Sequence, residues 1–162
     1  MRSRTARHIL AWAALAVWMG IIVWFSAQPA AVSSAMSGGV IEQVVGKVTP
    51  GFSELSTDEQ AAVVASWQTA VRKGAHVAEY ALLGVLLWVA LGGHVARQRI
   101  RAAVSGGIGL LYAASDEIHQ IFVPGRGPGA VDVLIDFSGV CIGVALAAGI
   151  TALWRRRQRK PA

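Results

Sequence analysis

Long blocks of apolar residues, separated by short charged stretches, constrain this chain more than any other feature of its sequence. Four blocks approach or reach the roughly 20 residues that a helix needs to cross a lipid bilayer. They lie at about residues 9–25, 74–91, 102–122 and 133–154. With 54% hydrophobic and 15% charged residues, the 162-residue chain is too apolar for an ordinary soluble domain. The sequence predicts one all-α membrane domain over residues 1–162, a bundle of four transmembrane helices.

The first block also has features of a secretory signal peptide. Three arginines precede it, and Ser33-Ser34-Ala35 resembles a cleavage site. The block is longer than the apolar region of most signal peptides, and further spans follow it. We therefore interpret it as a retained transmembrane helix.

The basic residues predict the orientation of the bundle. If the spans alternate, eleven of the fifteen lysines and arginines fall on one side: Arg2, Arg4, Arg7, Arg97, Arg99, Arg101, Arg155, Arg156, Arg157, Arg159 and Lys160. Basic loops stay in the cytoplasm, so both termini are predicted to be cytoplasmic. The net charge of +6 then indicates topology and contact with anionic membrane lipids. It requires no nucleic-acid partner.

The segment between the first two spans is predicted to carry short amphipathic helices on the outer side. Apolar residues recur there at steps of four: Met36, Val40, Val44 and Val48. Pro50-Gly51 ends this helix, and Ser56-Thr57-Asp58-Glu59 has the pattern of a capping box that begins another. This second helix is predicted to continue into the second span. A plain connecting loop is the alternative.

Polar residues in three of the spans are predicted to lie at one depth. At 1.5 Å per residue, Asp116 lies about 21 Å from the cytoplasmic end of its helix, while His76 and Asp136 lie about 18 and 27 Å from theirs. All three therefore fall in the outer half of the bilayer. An ionisable group there costs at least about 2.5 kcal/mol, so such residues usually face the interior of a bundle.

Helical spacing assigns these polar residues to faces. Lys73, His76 and Tyr80 share a face with Glu79 beside them, and Asp132 and Asp136 share a stripe with Gly139 and Gly143. Asp116, His119 and Gln120 are predicted to share a third face, with Glu117 turned about 100° away.

Two interpretations of this cluster remain open. The residues could simply pair, Lys73 with Glu79, Arg126 with Asp132 and His119 with Asp116, and so hold the bundle together. The cluster contains five acids, however, and only two nearby bases, Lys73 and Arg126. Protonation, a cation or the positive group of a ligand would then have to neutralise the excess.

Three kinds of chemistry suit an outward-facing polar site of this composition. A carboxylate and an imidazole could share acid–base catalysis, for which the candidates are His76, Glu79, Asp116, Glu117 and Asp136. A divalent cation is one candidate cofactor, with Asp116, His119, Asp132 and Asp136 as candidate ligands. The site could instead bind a ligand without catalysis, through Lys73, Tyr80, Gln120, Arg126 and Asp132. Its partners would be membrane lipids, or a lipid-linked or cell-wall precursor molecule.

Several familiar active-site motifs are absent from the sequence. It contains no G-x-S-x-G, H-E-x-x-H or C-x-x-C, and no phosphate-binding Gly-rich loop. Ser115 precedes His119 by one helical turn without an oxyanion-binding motif, which is weak support for a nucleophile.

Four stretches, in this order along the chain, resemble motifs of the VanZ-like family. These are Phe25-Ser26-Ala27-Gln28, the run from Arg72 to Tyr80 followed by Leu83-Gly84, the run from Ser115 to Gln120 followed by Phe122 to Arg126, and Asp132, Asp136, Gly139 and Gly143. The resemblance covers nearly the whole chain.

The resemblance implies a small integral membrane protein of the bacterial inner or plasma membrane. The founding member of that family is associated with low-level resistance to the glycopeptide teicoplanin, so a role in cell-envelope processes or glycopeptide tolerance is implied. It assigns no chemical role to any residue.

Overall fold

The structure, a computed structural model, describes residues 2–127 and 129–158. Five α-helices and one short 3₁₀ helix account for most of this part of the chain, and it contains no strand. The α-helices are α1 (Arg2–Ser26), α2 (Ala30–Val48), α3 (Thr57–Leu91), α4 (Gln98–Gln120) and α5 (Ala130–Gln158), and the 3₁₀ helix is Phe52–Glu54. The predicted all-α class is confirmed. Arg159 and Lys160, which contribute to the predicted orientation, lie outside the described residues.

Within the described residues, three helices are long and apolar enough to cross a membrane. They are α1, over Thr5–Ser26, and the full lengths of α3 and α5. Helix α4, which corresponds to the predicted third span, does not meet this criterion, because arginines lie near its start and acids near its end. The count of four spans therefore stays a prediction.

Glycines let α3 and α5 pack with their backbones in contact. A Cβ added at Gly143 would overlap the carbonyl oxygen of Ala81, and one added at Gly84 would overlap that of Val140. At Gly139 a Cβ would lie 2.5 Å from the carbonyl oxygen of Val77. Real side chains cannot occupy such positions without moving the backbone, so these glycines set the distance between the two helices. The predicted role of Gly139 and Gly143 is confirmed.

The main apolar core lies around this contact between α3 and α5. Its members come from α1, α3, α4 and α5, and the largest are Ile22, Tyr80, Leu83, Leu87 and Trp88. Hydrogen bonds also reach helix carbonyl groups, since the Trp18 indole donates to the carbonyl of Glu79 and the Tyr112 hydroxyl donates to that of Met19. These bonds attach α1 to α3 and α4.

Helix α3 begins with the predicted capping box and runs without a break into the predicted second span. The Ser56 backbone N–H donates to the Glu59 carboxylate at 2.9 Å, and the Ser56 hydroxyl accepts from the Glu59 backbone N–H at 3.4 Å. The 35 residues of α3 make a helix about 52 Å long, more than a bilayer core requires.

Helix α2 packs against the first half of α3 through a small separate core. Ile41, Val45 and Phe52 are buried there. The predicted apolar stripe is not the face that packs, since Val44 and Val48 are exposed. Met36 and Val40, the other members of that stripe, have side chains outside the described set. The packed face lies one position further along the helix, where Ile41 and Val45 meet Phe52.

Candidate functional site

A buried carboxylate, that of Asp116, joins three helices at one end of the bundle. Its Oδ2 accepts hydrogen bonds from the Ser26 hydroxyl at 2.7 Å, the Tyr80 hydroxyl at 3.2 Å and the Gln120 amide at 3.1 Å. These donors come from α1, α3 and α4. Only 3% of Asp116 is exposed, and its Oδ1 is buried without a hydrogen bond. Because Oδ2 satisfies three buried donors, Asp116 has a structural role.

A second buried carboxylate, that of Asp136, lies next to His76. Asp136 is 1% exposed, and its Oδ1 lies 3.3 Å from Nδ1 of His76. Neither oxygen of Asp136 makes an aligned hydrogen bond. The two side chains are therefore within ion-pair distance, but their geometry does not form a good hydrogen bond. The His76 side chain is 20% exposed and connects this buried acid to the surface.

Glu117, a third acid, caps the start of α5. Its Oε1 accepts the backbone N–H of Gly129 at 2.6 Å, just before the first residue of the helix. A carboxylate is favourable there because the first N–H groups of a helix are unpaired and the helix dipole is positive at that end. Glu117 is buried, although its predicted angle turned it away from Asp116. Helix α4 buries a broad face that includes both positions.

Arg126 fastens the end of α1 to the turn between α4 and α5. Its Nε donates to the Gln28 carbonyl at 3.0 Å, one Nη donates to the Phe25 carbonyl at 3.2 Å, and the other donates to the Gln120 side-chain oxygen at 3.3 Å. Burial lowers the pKa of the Arg126 guanidinium from its ordinary value, and the charge of Arg72 lowers it further. An arginine starts so high that it stays charged near neutral pH.

Two cavities open beside these residues. The larger, of about 320 Å³, lies between the end of α1, the start of α2, α3 and the turn that follows α4. The smaller, of about 100 Å³, lies between α3, α4 and the start of α5. Arg72, His76 and Arg126 line both cavities. Glu79 lines the larger one, while Glu117, Asp132 and Asp136 line the smaller one.

The structure gathers most of the predicted site residues but pairs them differently from the three proposed pairs. Lys73 lies 3.7 Å from Asp132 rather than beside Glu79, and both side chains are nearly half exposed. Arg126 binds carbonyl and amide oxygens instead of Asp132. Asp116 binds three neutral donors instead of His119. These partners come from other helices, so spacing along one helix could not reveal them.

His119 does not belong to the cluster. It is exposed, whereas Asp116, Glu117 and Gln120 on the same helix are buried. The buried face of α4 is centred between Asp116 and Gln120, which leaves His119 at its edge. Across the described residues, no group of three or more His, Cys, Asp or Glu side chains is arranged to hold a metal ion.

Sequence reasoning did not list Ser26 and Arg72 among the candidate site residues. Ser26 is 2% exposed and donates to Asp116, while Arg72 lines both cavities. Ser26 could have been identified from the sequence, because the polar residues Ser26 and Gln28 directly follow an apolar span. Arg72 could have been identified from its position one residue before Lys73 and one helical turn before His76.

These features define a class of protein. A bundle of α-helices, three of them apolar enough to cross a membrane, with ionisable side chains buried in its interior, is an integral membrane protein. The model of the VanZ/LLP1 family matches residues 11–154, so the chain belongs to that family. Comparisons with curated proteins and with solved structures find no match.

Proposed function

We propose that this protein crosses the membrane four times, with both termini in the cytoplasm, and acts on a cell-envelope molecule through a polar site that faces outwards. The membrane would be the bacterial inner or plasma membrane. The molecule would be a lipid or a lipid-linked cell-wall precursor, and the process would be envelope maintenance or tolerance of glycopeptide-type antibiotics. Membership of the family supports this setting.

The surface of α4 supports a fourth span in spite of its modest hydropathy. Its buried face holds the small and polar residues Arg101, Ser105, Gly109, Ala113, Asp116, Glu117 and Gln120. Its exposed face carries large apolar side chains, including Leu111 at 73% and Ile118 at 59% exposure. A helix that turns apolar groups outwards and polar groups inwards suits lipid surroundings. A hydropathy average over all residues does not register this arrangement.

The observation that carries the proposed chemistry is the pair formed by His76 and Asp136. A buried carboxylate within ion-pair distance of one imidazole nitrogen favours the protonated ring and leaves the other nitrogen available for proton transfer. His76 also lines both cavities, so a ligand in either cavity would reach it. In this proposal His76 is the general acid or base, and Asp136 stabilises its charged form.

A second candidate function is binding without catalysis. It is favoured by the role of the remaining polar residues, because Asp116, Glu117 and Arg126 hold helices together through hydrogen bonds. Such a site would recognise a headgroup, a cell-wall precursor or an ion and leave it unchanged. The two functions differ in whether His76 is needed for turnover or only for affinity.

Lipid mass spectrometry of cells and of the purified protein distinguishes the two functions. Cells expressing the wild-type chain, His76→Gln or Asp136→Asn are compared for envelope lipids and for growth with a sub-inhibitory glycopeptide. Catalysis predicts a change in lipid composition with the wild type that both variants abolish at equal protein level. Binding predicts an unchanged composition and a lipid that co-purifies with the wild type in larger amounts than with His76→Gln. If neither variant differs from the wild type in any readout, the proposed site is wrong.

A further inference from the structure

The two cavities beside His76 differ in charge. The larger cavity is lined by Arg72 and Arg126 but by a single carboxylate, that of Glu79. The smaller cavity adds Lys73 to the same two arginines and balances the three with Glu117, Asp132 and Asp136. Arg72 and Arg126 line both cavities, and with each residue counted once the two cavities together hold four acids and three bases. Taken by itself, the larger cavity has two arginines and one acid, so its excess charge is positive when His76 is neutral. The acidic excess expected from the sequence is therefore not what the larger cavity presents.

Arg126 makes no direct ion pair among the described residues, although the carboxylates of Asp116, Glu79 and Glu117 are near enough to favour its charged form. Its three hydrogen bonds go to two backbone carbonyls and one side-chain amide, all of them neutral. No carboxylate lies within ion-pair distance of it in the described part of the chain. A guanidinium has five N–H donors, so two remain for a ligand. The three existing bonds hold the group in place, which reduces the entropy lost when a ligand binds.

Arg72 adds a second guanidinium on the α3 side of the same cavity. Its side chain is exposed, and it too has no ion pair among the described residues. Two arginines beside a cavity with a single carboxylate attract a further anion. Their planar N–H groups match the oxygens of a phosphate or carboxylate, and a phosphate offers enough oxygens for both.

The rest of the lining has both polar and apolar character. Small hydroxyl and amide side chains contribute one part, namely Ser26, Gln28, Ser33, Ser34, Gln68 and Thr69. Phe25, Val71 and Ala75 contribute an apolar part. The cavity also lies beside the end of the apolar segment of α1 at Ser26, and a span that ends there would place the cavity where lipid headgroups meet the hydrocarbon region. A ligand with a phosphate next to an apolar chain matches this combination better than a free phosphate does.

We propose that the larger cavity binds the phosphate of an anionic membrane lipid, with Arg72 and Arg126 as the phosphate-binding side chains. This inference rests on the proposed function, because it names the class of ligand that the same site would take. The phosphate lies between the two guanidiniums, and the glycerol or other polar portion faces the hydroxyl groups.

Binding of short-chain lipids to the purified full-length protein in a phosphate-free neutral detergent tests the proposal. The probes are dioctanoylphosphatidylglycerol, dioctanoylglycerol with the same chains and no phosphate, and inorganic phosphate. The variant is Arg72→Gln, since glutamine suits a helix and Arg72 makes no ion pair that the fold needs. Arg99→Gln is the matched control, because it removes an exposed arginine from α4 at the other end of the bundle.

The wild type should bind the phosphatidylglycerol and not the diacylglycerol. Arg72→Gln should weaken that binding on the order of tenfold, the usual effect of losing a charge-assisted hydrogen bond, and Arg99→Gln should leave it unchanged. High salt should weaken binding to the wild type, a second measurement that needs no variant. Equal binding of both lipids, no effect of Arg72→Gln or an equal effect of Arg99→Gln would overturn the proposal. If inorganic phosphate displaces the lipid at equal concentration, the assignment to a lipid is wrong.

Failure of this inference is distinguishable from failure of the proposed function. If Arg72→Gln binds normally while His76→Gln abolishes the cellular effect, the site acts on a ligand without the proposed phosphate contact. If Arg72→Gln loses binding while His76→Gln and Asp136→Asn change nothing in cells, the phosphate site stands and the acid–base function is wrong.

Discussion

Two aspartates at the same end of the bundle are buried to the same degree but have opposite surroundings. Asp116 accepts three hydrogen bonds through one oxygen, whereas neither oxygen of Asp136 accepts an aligned one. A carboxylate that satisfies buried donors contributes to stability, and one that lacks donors costs free energy. Costs of this kind are retained where a residue serves binding or catalysis. The two acids are therefore expected to respond differently to substitution.

Replacing Asp116 with alanine should destabilise the protein by roughly 3 kcal/mol, because the Ser26, Tyr80 and Gln120 donors would lose a shared acceptor. Asp136→Asn keeps the shape and breaks no aligned hydrogen bond, so it should change stability by less than about 1 kcal/mol. Reversible unfolding in detergent, followed by tryptophan fluorescence, measures both changes. Equal destabilisation by the two substitutions would contradict the different roles assigned to these acids.

At the level of helices, two kinds of contact hold the bundle together. Glycines bring α3 and α5 into backbone contact, and hydrogen bonds to helix carbonyls attach α1. The first kind tolerates no added atom, and the second depends on donor geometry. Each can be tested by one substitution with a control.

Gly143→Ala should lower stability by about 1–3 kcal/mol, because its Cβ would overlap the Ala81 carbonyl and push α3 and α5 apart. Gly149 is the control on the same helix, since a Cβ there meets nothing within 4 Å. Gly149→Ala should be neutral or stabilising by up to about 1 kcal/mol through helix propensity. Unfolding measurements on both variants check this, and equal effects would mean that Gly143 does not set the helix spacing.

Arg126→Lys keeps the charge and loses the planar group that reaches the Phe25 and Gln28 carbonyls together. We expect a loss of about 1–2 kcal/mol of stability and faster hydrogen exchange just after α1, with Arg99→Lys as the control. Since Arg126 makes no contact with Asp132, Asp132→Ala should not rescue Arg126→Ala. Restoration of wild-type behaviour by that double substitution would show that the two side chains act as a pair.

At the scale of the whole molecule, the described residues form a bundle and a helical hairpin built on one long helix. The second half of α3 packs in the bundle, while its first half packs against α2 around Ile41, Val45 and Phe52. We propose that this hairpin lies on the outer side of the membrane, with the polar cluster at the junction of the two parts. Its orientation depends on the arginines at the opposite end of the bundle.

A reporter fused after Ala162 should report the cytoplasm, and one inserted near Gly51 should report the outer side, because basic segments stay in the cytoplasm. Alkaline phosphatase and green fluorescent protein fusions give opposite readouts on the two sides and check the result. Both positions reporting the same side would exclude the four-span arrangement.

The sequence by itself determined the all-helical class, three of the four predicted spans, the start of α3 at its capping box and the glycines between α3 and α5. These follow from local causes, namely hydrophobic block length, end-capping residues and small residues at helical spacing, and none requires a partner elsewhere in the chain. The sequence also singled out most of the polar cluster, since ionisable residues within apolar blocks are conspicuous.

Only the tertiary structure decided which polar residues meet. Ser26 reaches Asp116 across 90 positions of sequence, and Arg126 reaches the Phe25 carbonyl across 101. Such contacts depend on how each helix is rotated and on where its neighbours end, which periodicity within one helix does not specify. Rotation of α4 buries Glu117 and exposes His119, and the turn after α4 directs Arg126 to α1 instead of Asp132. The same packing distributes the charges unevenly, because two arginines and one carboxylate line the larger cavity, whereas the other acids line the smaller cavity or, like Asp116, are buried.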